Sequence, residues 1–213
     1  MIGDSTSQFF DVYARDFNAI YGNQNTLFDR VVNRLFRKSM RLRYERTLEG
    51  CLPAEGKSVI DIGCGPGHYS VALARRGAVR VLGLDFAKGM IDLATENAKQ
   101  ARVADRCRFV HGDFLKWPID ETFDYAIVMG FMDYIEHPPQ LIDRVLSLTR
   151  SKAFFSFPLE GGILAWQRKL RYQRRCALYL YTESQLEALF ARRPVKNVHL
   201  ERIARDYFVT VSI

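Results

Sequence analysis

Several features that would point to a metal, disulfide or membrane protein are absent from this chain. Its four cysteines include no C-x-x-C pair, so neither a zinc framework nor a disulfide scaffold is expected. No apolar run approaches the ~18 residues that a membrane-spanning helix needs. The N-terminal residues MIGDSTSQ lack the basic and apolar regions of a signal peptide. These absences predict a cytoplasmic protein that binds no metal and has no transmembrane segment.

The composition is that of an ordinary globular domain with an excess of positive charge. Hydrophobic residues make up 48% and charged residues 26% of the 213 positions, which excludes disordered and fibrous classes. No internal repeat, low-complexity tract or Pro/Gly-rich linker divides the chain, so we expect a single domain over residues 1–213. The net charge of +7 favours anionic partners without choosing among nucleotides, phosphorylated metabolites, RNA and membrane surfaces.

Short β-branched runs alternate with helical stretches from Val59 onward. This rhythm builds right-handed βαβ units and therefore predicts a parallel sheet with helices on both faces. The last two strand-like runs are separated by residues 204–206 only, too few for a helical crossover, so they must pair as an antiparallel hairpin. The predicted strands are 58–62, 79–84, 107–111, 123–129, 152–157, 195–203 and 207–213, and the helices between them are 69–76, 88–101 and 140–149.

The segments flanking the 51–160 core are also predicted to be helical. Residues 1–50 form a cap, in which aromatic residues at positions 9, 13, 17 and 21 recur every fourth residue and so share one helix face. An insert over 161–180 is strongly basic, with five Arg or Lys among residues 166–175. A last helix and the hairpin occupy 181–213.

The most informative stretch is a glycine-rich loop, D-I-G-C-G-P-G-H-Y, over residues 61–69. Glycines there let the backbone turn sharply and let a ligand approach main-chain N–H groups. The helix that follows presents unpaired N–H groups and the positive end of its dipole. Taken alone, such a loop is also compatible with an ordinary tight turn between a strand and a helix.

Two further features select the class of ligand. A dinucleotide fingerprint would need a third glycine at position 68, which here is His68. The second strand ends in Asp85, twenty residues after Gly65, where a carboxylate can accept hydrogen bonds from both hydroxyls of a ribose. Because the loop has no lysine of the P-loop kind, the pattern favours a nucleoside over a polyphosphate.

With these motifs, the chain resembles the class I S-adenosylmethionine-dependent methyltransferases over about residues 40–160. The D-x-G-C-G-P-G-x-[Y/F] loop, the run F-V-H-G-D-F at 109–114, the strand-like runs 123–129 and 154–158 and the closing hairpin carry the resemblance. It implies a three-layer αβα sandwich, with a Rossmann-like, mostly parallel sheet of seven strands in the order 3-2-1-4-5-7-6. The last strand would be inserted antiparallel.

The resemblance also implies a role for each matching residue. Gly63, Cys64 and Gly65 would lie against the methionine part of the cofactor, with Asp61 toward its ammonium group. Asp85 would accept the ribose hydroxyls. Four residues would surround the adenine, namely Phe86, Met90, Asp113 and Phe114. Met129 would border the sulfonium, and Arg43 would bind the carboxylate of the methionine part.

Among class I enzymes, the pattern is similar to the ubiquinone-type and magnesium-protoporphyrin O-methyltransferases, which implies a small-molecule acceptor. An oxygen acceptor is favoured because no N-P-P-Y-type tetrapeptide follows the fourth strand. Tyr134 or His137 is the hypothetical proton acceptor, although His137 is equally compatible with the start of a loop. The candidate acceptor contacts are Tyr13 and Tyr21 in the cap, and Trp166, Arg171 and Arg174 in the insert.

Purely structural roles would also explain the cap and the insert. The aromatic stripe of the cap is explained by packing on the body as well as by a lid, and the basic insert by a solvated helix face as well as by recognition of an anionic acceptor. Three other functions also remain open at this point: an RNA methyltransferase, a cofactor-binding protein without catalysis, and a dehydrogenase.

Overall fold

The protein is described here by a computed structural model that covers residues 27–161 and 178–213, with side chains from residue 38 onward. Seven strands form one sheet in the order β3-β2-β1-β4-β5-β7-β6. The strands are β1 Ser58–Ile62, β2 Arg80–Asp85, β3 Cys107–His111, β4 Phe123–Val128, β5 Thr149–Pro158, β6 Asn197–Ile203 and β7 Asp206–Ser212.

The sheet has the predicted mixed topology. Strands β1 to β5 pair in parallel, whereas β7 lies antiparallel between β5 and β6. The connection of two residues between β6 and β7, one shorter than predicted, is too short for a helical crossover, so the two strands form the expected hairpin. The helices are α1 Leu27–Gly50, α2 His68–Arg75, α3 Lys88–Gln100, α4 Pro138–Ser147 and α5 Glu183–Phe190, with a 3-10 helix at Met132–Tyr134.

Both faces of the sheet are buried, which gives three layers. Val59 packs in one apolar cluster with residues of α1, α2 and α3, while its neighbour Ile60 packs in the other with residues of α4 and α5. A strand covered on both faces needs apolar side chains at successive positions, and this explains the unbroken run V-I before Asp61. The αβα sandwich expected from the sequence is confirmed.

Some boundaries differ from the prediction for local reasons. Helix α4 begins at Pro138, because proline fits the first turn of a helix, where its missing N–H costs nothing. Strand β5 begins at Thr149 rather than at residue 152. Thr149 pairs with Phe123 ahead of a register shift, and the first three residues of the strand lack the apolar pattern from which its start was predicted. No helix in residues 27–161 or 178–213 is long and apolar enough to cross a membrane.

The amino ends of three strands are tied together by polar contacts. Asp124 of β4 accepts hydrogen bonds from the Ser58 backbone N–H at 2.9 Å and from the Ser58 hydroxyl at 3.0 Å. Arg150 of β5 donates to the same carboxylate at 3.1 Å. This edge of the sheet is therefore a structural clamp, and the opposite, carboxyl edge carries the loops of the glycine motif.

Candidate functional site

The strand order places a crevice at the carboxyl edge between β1 and β4. The chain leaves β1 for α2 on one face of the sheet and leaves β4 for α4 on the other face. Ligands of doubly wound α/β folds bind at such a switch point, because the loops diverge there and leave room above the strand ends. We therefore expect the predicted site residues to lie together at this crevice.

The glycine loop is held in a conformation that suits glycine at several positions. Gly63, Gly65 and Gly67 have φ angles of 69°, 52° and 76°, in the left-handed region that side chains with a Cβ rarely adopt. The N–H groups of Gly63 and Cys64 both donate to the Leu84 carbonyl, at 2.8 and 3.0 Å. The loop is thus fixed to the end of β2 beside Asp85.

Gly63 has a second constraint, from the loop after β4. A Cβ at this position would lie 2.4 Å from a carbon of the Phe131 ring, so only glycine fits. The ring of Phe131 also lies 6.3 Å, centroid to centroid, from that of Phe86 after β2. These two aromatic rings therefore meet above the glycine loop at the centre of the crevice.

Asp85 joins the loop to the end of β2 through its carboxylate. One oxygen accepts the Gly65 N–H and the other accepts the Ala87 N–H, each at 2.9 Å. The side chain is buried, with 7% of the residue exposed. Each carboxylate oxygen can accept more than one hydrogen bond, so the same group can hold the loop and receive ligand hydroxyls.

Asp61 is a buried carboxylate at the end of β1. The hydroxyl of Ser70 in α2 donates to it at 2.6 Å, and the negative charge of Asp85 lies near enough to disfavour its ionisation. Burial raises the pKa of Asp61 to about 7, although the Ser70 hydrogen bond acts in the opposite direction. A nearby cation would favour the ionised form, so this position is suited to an ammonium group.

The loops after β2 and β3 lie on one side of the crevice. Asp113 is half-buried and its carboxylate accepts the Leu115 N–H at 3.0 Å, which stabilises the turn after β3. Phe114 is buried under the Arg144 guanidinium, whose carbon lies 5.1 Å from the ring centroid. Phe86 and Met90 pack against each other at the start of α3.

Arg43 reaches the other side of the crevice from α1. Its Nη1 donates to the Ser156 hydroxyl of β5 at 3.2 Å, and the same hydroxyl accepts the Gly130 N–H at 2.8 Å. Nη1 would also lie 3.5 Å from a Cβ on Gly130. A position eighteen residues before Asp61 in sequence is therefore brought to the carboxyl ends of β4 and β5.

The residues after β4 divide between the two sides. Met129 packs in the same apolar cluster as Tyr44 and Tyr69, on the side of Arg43. His137 is exposed just before α4 and lines a pocket together with Asp113, Phe114 and Phe131. Tyr134 is half-buried at the end of the 3-10 helix. The structure thus groups His137 with the turn after β3 rather than with Arg43.

Part of this chain is similar in sequence to known methyltransferases, and its fold is similar to that of solved methyltransferase structures. Residues 59–152 match a family model described as a methyltransferase domain. A ubiquinone biosynthesis O-methyltransferase of Coxiella burnetii is 29% identical over 162 residues, which make up 75% of this chain and 61% of that protein. A crystal structure of magnesium protoporphyrin IX methyltransferase from Synechocystis, with bound S-adenosylhomocysteine, has a TM-score of 0.76 at 18% identity and covers 97% of both chains. Residues 59–152, which include nearly all of β1 and the whole of β2 to β4, are therefore similar to a methyltransferase domain.

The likeness to the methyltransferase domain extends beyond these residues in other relatives. A demethylmenaquinone methyltransferase of Lactiplantibacillus plantarum is 23% identical over 217 aligned positions, which cover 89% of this chain and 92% of that protein. In contrast, this chain spans 61% of the length of the Coxiella relative. The resemblance and the fold class predicted from the sequence are confirmed.

The predicted cofactor residues of the methyltransferase domain all lie at the carboxyl edge. A second set of predicted residues lies outside the described part of the chain, namely Tyr13, Tyr21, Trp166, Arg171 and Arg174. Their role as acceptor contacts, and the helical cap before residue 27, stay predictions. Within the described residues, no group of three or more His, Cys, Asp or Glu side chains is placed to hold a metal ion.

Sequence reasoning missed several residues that shape the site. Ser156 is the one polar side chain in the apolar run A-F-F-S-F-P of β5, and that isolation is a usable signal. Phe131 and Asp206 carry no comparable signal, because their contacts with Gly63 and Arg43 arise only when distant parts of the chain pack together. The contact between Ser70 and Asp61 is local, since the two residues are nine positions apart on either side of the glycine loop.

Proposed function

We propose that this chain transfers a methyl group from S-adenosylmethionine to an oxygen atom of a small molecule by in-line displacement. The observation that carries the proposal is the Asp85 carboxylate, which is buried at the switch point and tied to the glycine loop by the Gly65 N–H. A carboxylate in that place is suited to a ribose with two free hydroxyls. The Synechocystis neighbour is described with S-adenosylhomocysteine bound, which supports the same ligand here.

The nucleoside end of the cofactor is proposed to lie on the side of β2 and β3. Asp85 would accept the two ribose hydroxyls, and Asp113, which is half-buried, would accept the adenine amino group. Phe86 and Met90 offer an apolar surface beside the adenine. Phe114 also lines the pocket there.

The amino-acid end is proposed to lie on the side of Arg43. The ammonium and carboxylate of methionine need groups of opposite charge a short distance apart, and Asp61 and Arg43 provide them on the two sides of the glycine loop. Gly63, Cys64 and Gly65 would lie against the methionine part. Met129, at the end of β4, would border the sulfonium.

The chemical step asks little of the protein, since the sulfonium carries its own leaving group. Holding the acceptor oxygen in line with the methyl carbon and excluding water can supply up to ~7–11 kcal/mol of the barrier reduction. A general base would add a factor of ~100 to 10,000 for a hydroxyl acceptor. His137 or Tyr134 is our candidate for that base. A His137→Ala variant that keeps the full kcat across the pH range would remove His137 from this role.

The choice of an oxygen acceptor is supported by two observations. The residues after β4 are M-G-F-M, at positions 129–132, and contain no tetrapeptide of the N-P-P-Y type. In addition, one of the relatives is described as an O-methyltransferase. A small molecule rather than RNA is proposed, because the relatives cited above are named for quinones and a porphyrin.

Methyl transfer is tested by incubating the protein with S-adenosylmethionine labelled in the methyl group and a fractionated metabolite extract. The expected result is a labelled small molecule whose formation stops when Asp85 is replaced by alanine. Tight binding of the cofactor without labelling in any fraction would favour a non-catalytic binding protein instead. Labelling of RNA alone would contradict the proposed acceptor class.

A further inference from the structure

A buried carboxylate in the C-terminal hairpin, that of Asp206, faces Arg43 of helix α1. Asp206 is the first residue of β7 and pairs through its backbone with Ile203 of β6 and Pro158 of β5. Only 2% of the residue is exposed. A carboxylate this deeply buried needs compensating partners, and these come from helix α1.

The partners are two residues on one face of α1. Ser39 donates its hydroxyl proton to Oδ2 of Asp206, and Nε of Arg43 lies 3.8 Å from the same oxygen. Ser39 and Arg43 are four residues apart, a spacing that places both on the same side of a helix. The Asp206 carboxylate therefore joins the start of β7 to helix α1.

The guanidinium of Arg43 has one edge toward the hairpin and one edge toward the crevice. Nε faces Asp206 and is buried without a hydrogen bond. Nη1 donates to Ser156, beside Gly130. Among the described residues no hydrogen bond engages Nη2, so the outer edge still has donors to offer to an anion.

We infer that Asp206 is a positioning residue for the amino-acid end of the cofactor. Its buried charge holds the Arg43 guanidinium in place and leaves the outer edge for the methionine carboxylate. This inference rests on the proposed function, because it assumes that the crevice binds S-adenosylmethionine. A guanidinium with 11% of its side chain exposed would lose its buried counter-ion without Asp206, and it would then turn toward water.

The same two elements provide a matched control. Glu201 of β6 also pairs with an arginine of α1, since its carboxylate lies 3.2 Å from Nε of Arg46. These side chains are 34% and 46% exposed, far more than those of Arg43 and Asp206. Exposed pairs of this kind contribute little, so a Glu201→Gln variant reports on loss of a hairpin carboxylate without any effect on Arg43.

The test compares two ligands by calorimetry at one pH. S-adenosylhomocysteine carries the amino-acid carboxylate, whereas 5′-methylthioadenosine has the same nucleoside without it. In Asp206→Asn we expect the Kd for S-adenosylhomocysteine to rise about tenfold or more, with the Kd for 5′-methylthioadenosine changed less than about twofold. Glu201→Gln should change neither. In an Arg43→Met background, Asp206→Asn should cause no further loss, because the two residues act as one unit.

Several results would overturn the inference. Equal weakening of both ligands in Asp206→Asn would show a general structural role, and unchanged binding of both would show no role. If Asp206→Asn does not fold, Ser39→Ala removes only the hydroxyl that orients the carboxylate, and it should weaken S-adenosylhomocysteine selectively. An unchanged ratio of the two affinities in Ser39→Ala would then refute the role of Asp206. Wild-type protein that binds neither ligand would instead contradict the proposed function itself.

Discussion

Asp61 is the residue at which the site is most sensitive to pH. Burial raises its pKa to about 7, so the free protein carries a largely neutral Asp61 at about pH 6. An ammonium group requires the ionised form, and binding must therefore release a proton in this range. We expect the affinity for S-adenosylhomocysteine to fall toward tenfold per unit as the pH drops below about 7. Calorimetry in two buffers of different ionisation enthalpy would count the released proton.

The Asp61→Asn variant separates this effect from other titrating groups. It should bind more weakly at neutral pH and lose the proton release. Affinity of the wild type that stays constant between about pH 6 and pH 7.5 would contradict the assignment. The raised pKa also predicts that Asp61 stabilises the ligand-free fold at low pH, and that this contribution is lost as the pH rises toward 7.

Gly63 tests the close contact between the glycine loop and the loop after β4. Gly63→Ala places a Cβ 2.4 Å from the Phe131 ring at a φ of 69°. Strain of the backbone and overpacking each cost about 1–3 kcal/mol. Gly56→Ala is the control, because Gly56 has a φ of 71° and nothing within 4 Å of the added Cβ. Thermal unfolding should show a clearly larger loss for Gly63→Ala, and equal losses would contradict the contact.

For single residues, the sequence predicts the position of those that lie in a loop or strand end with its own local motif. The positions of Asp61 and the glycines at the carboxyl edge follow from a strand that runs into glycines and a helix, and that of Asp85 follows from its place at the end of the next strand. Arg43 could be placed only through the resemblance, since its neighbours show no motif of their own. Asp206 could not be found, because its contact with Arg43 joins positions separated by most of the chain.

Among the elements, the clamp at the amino ends of β1, β4 and β5 makes a prediction that is independent of ligand binding. Partial burial raises the pKa of Asp124, but hydrogen bonds from Ser58 and Arg150 outweigh it and the net pKa is lowered. Asp124→Ala should reduce the free energy of unfolding by about 1–3 kcal/mol, because the buried Ser58 N–H loses its acceptor. The affinity for S-adenosylhomocysteine should not change.

The pH dependence of this loss has a definite sign. A lowered pKa in the folded state means that the ionised carboxylate contributes stability above its ordinary value of 3.8. That contribution disappears as the pH falls through the folded value. Urea unfolding should therefore show the gap between wild type and Asp124→Ala closing below about pH 4. If the difference in the free energy of unfolding between wild type and Asp124→Ala persists below about pH 4, the loss of stability would come from packing and not from the carboxylate charge.

The existence and order of the strands and helices could be predicted from the sequence, whereas the residues at which they begin and end were less predictable. Strands β1 and β3 have the predicted bounds, since their apolar runs are flanked by clear loop signals. Strand β5 is longer than predicted because its first residues, T-R-S, are polar and pair beside a register shift. Such pairing depends on the neighbouring strand and leaves no periodic signal in the sequence.

For the whole molecule, the order of the strands follows from a few rules applied to the alternation of strands and helices. Right-handed crossovers and a short connection before the last strand leave few topologies, and the resemblance selects the observed one. The excess of positive charge was less informative. Arg43 reaches Ser156 beside Gly130, at the carboxyl ends of β4 and β5, whereas Arg41 and Arg46 are exposed and paired with acidic side chains.

The central claim is that a nucleoside with a sulfonium binds at the carboxyl edge of this sheet through Asp85. Calorimetric titration with S-adenosylmethionine tests it most directly, with Asp92→Asn as control, since Asp92 is an exposed carboxylate paired with Lys88 on the surface of α3. We expect saturable heat for wild type and for Asp92→Asn, a loss of affinity of about a hundredfold for Asp85→Ala, and no heat with NADH. Absence of heat with S-adenosylmethionine, or an Asp85→Ala variant that binds as tightly as wild type, would contradict the account.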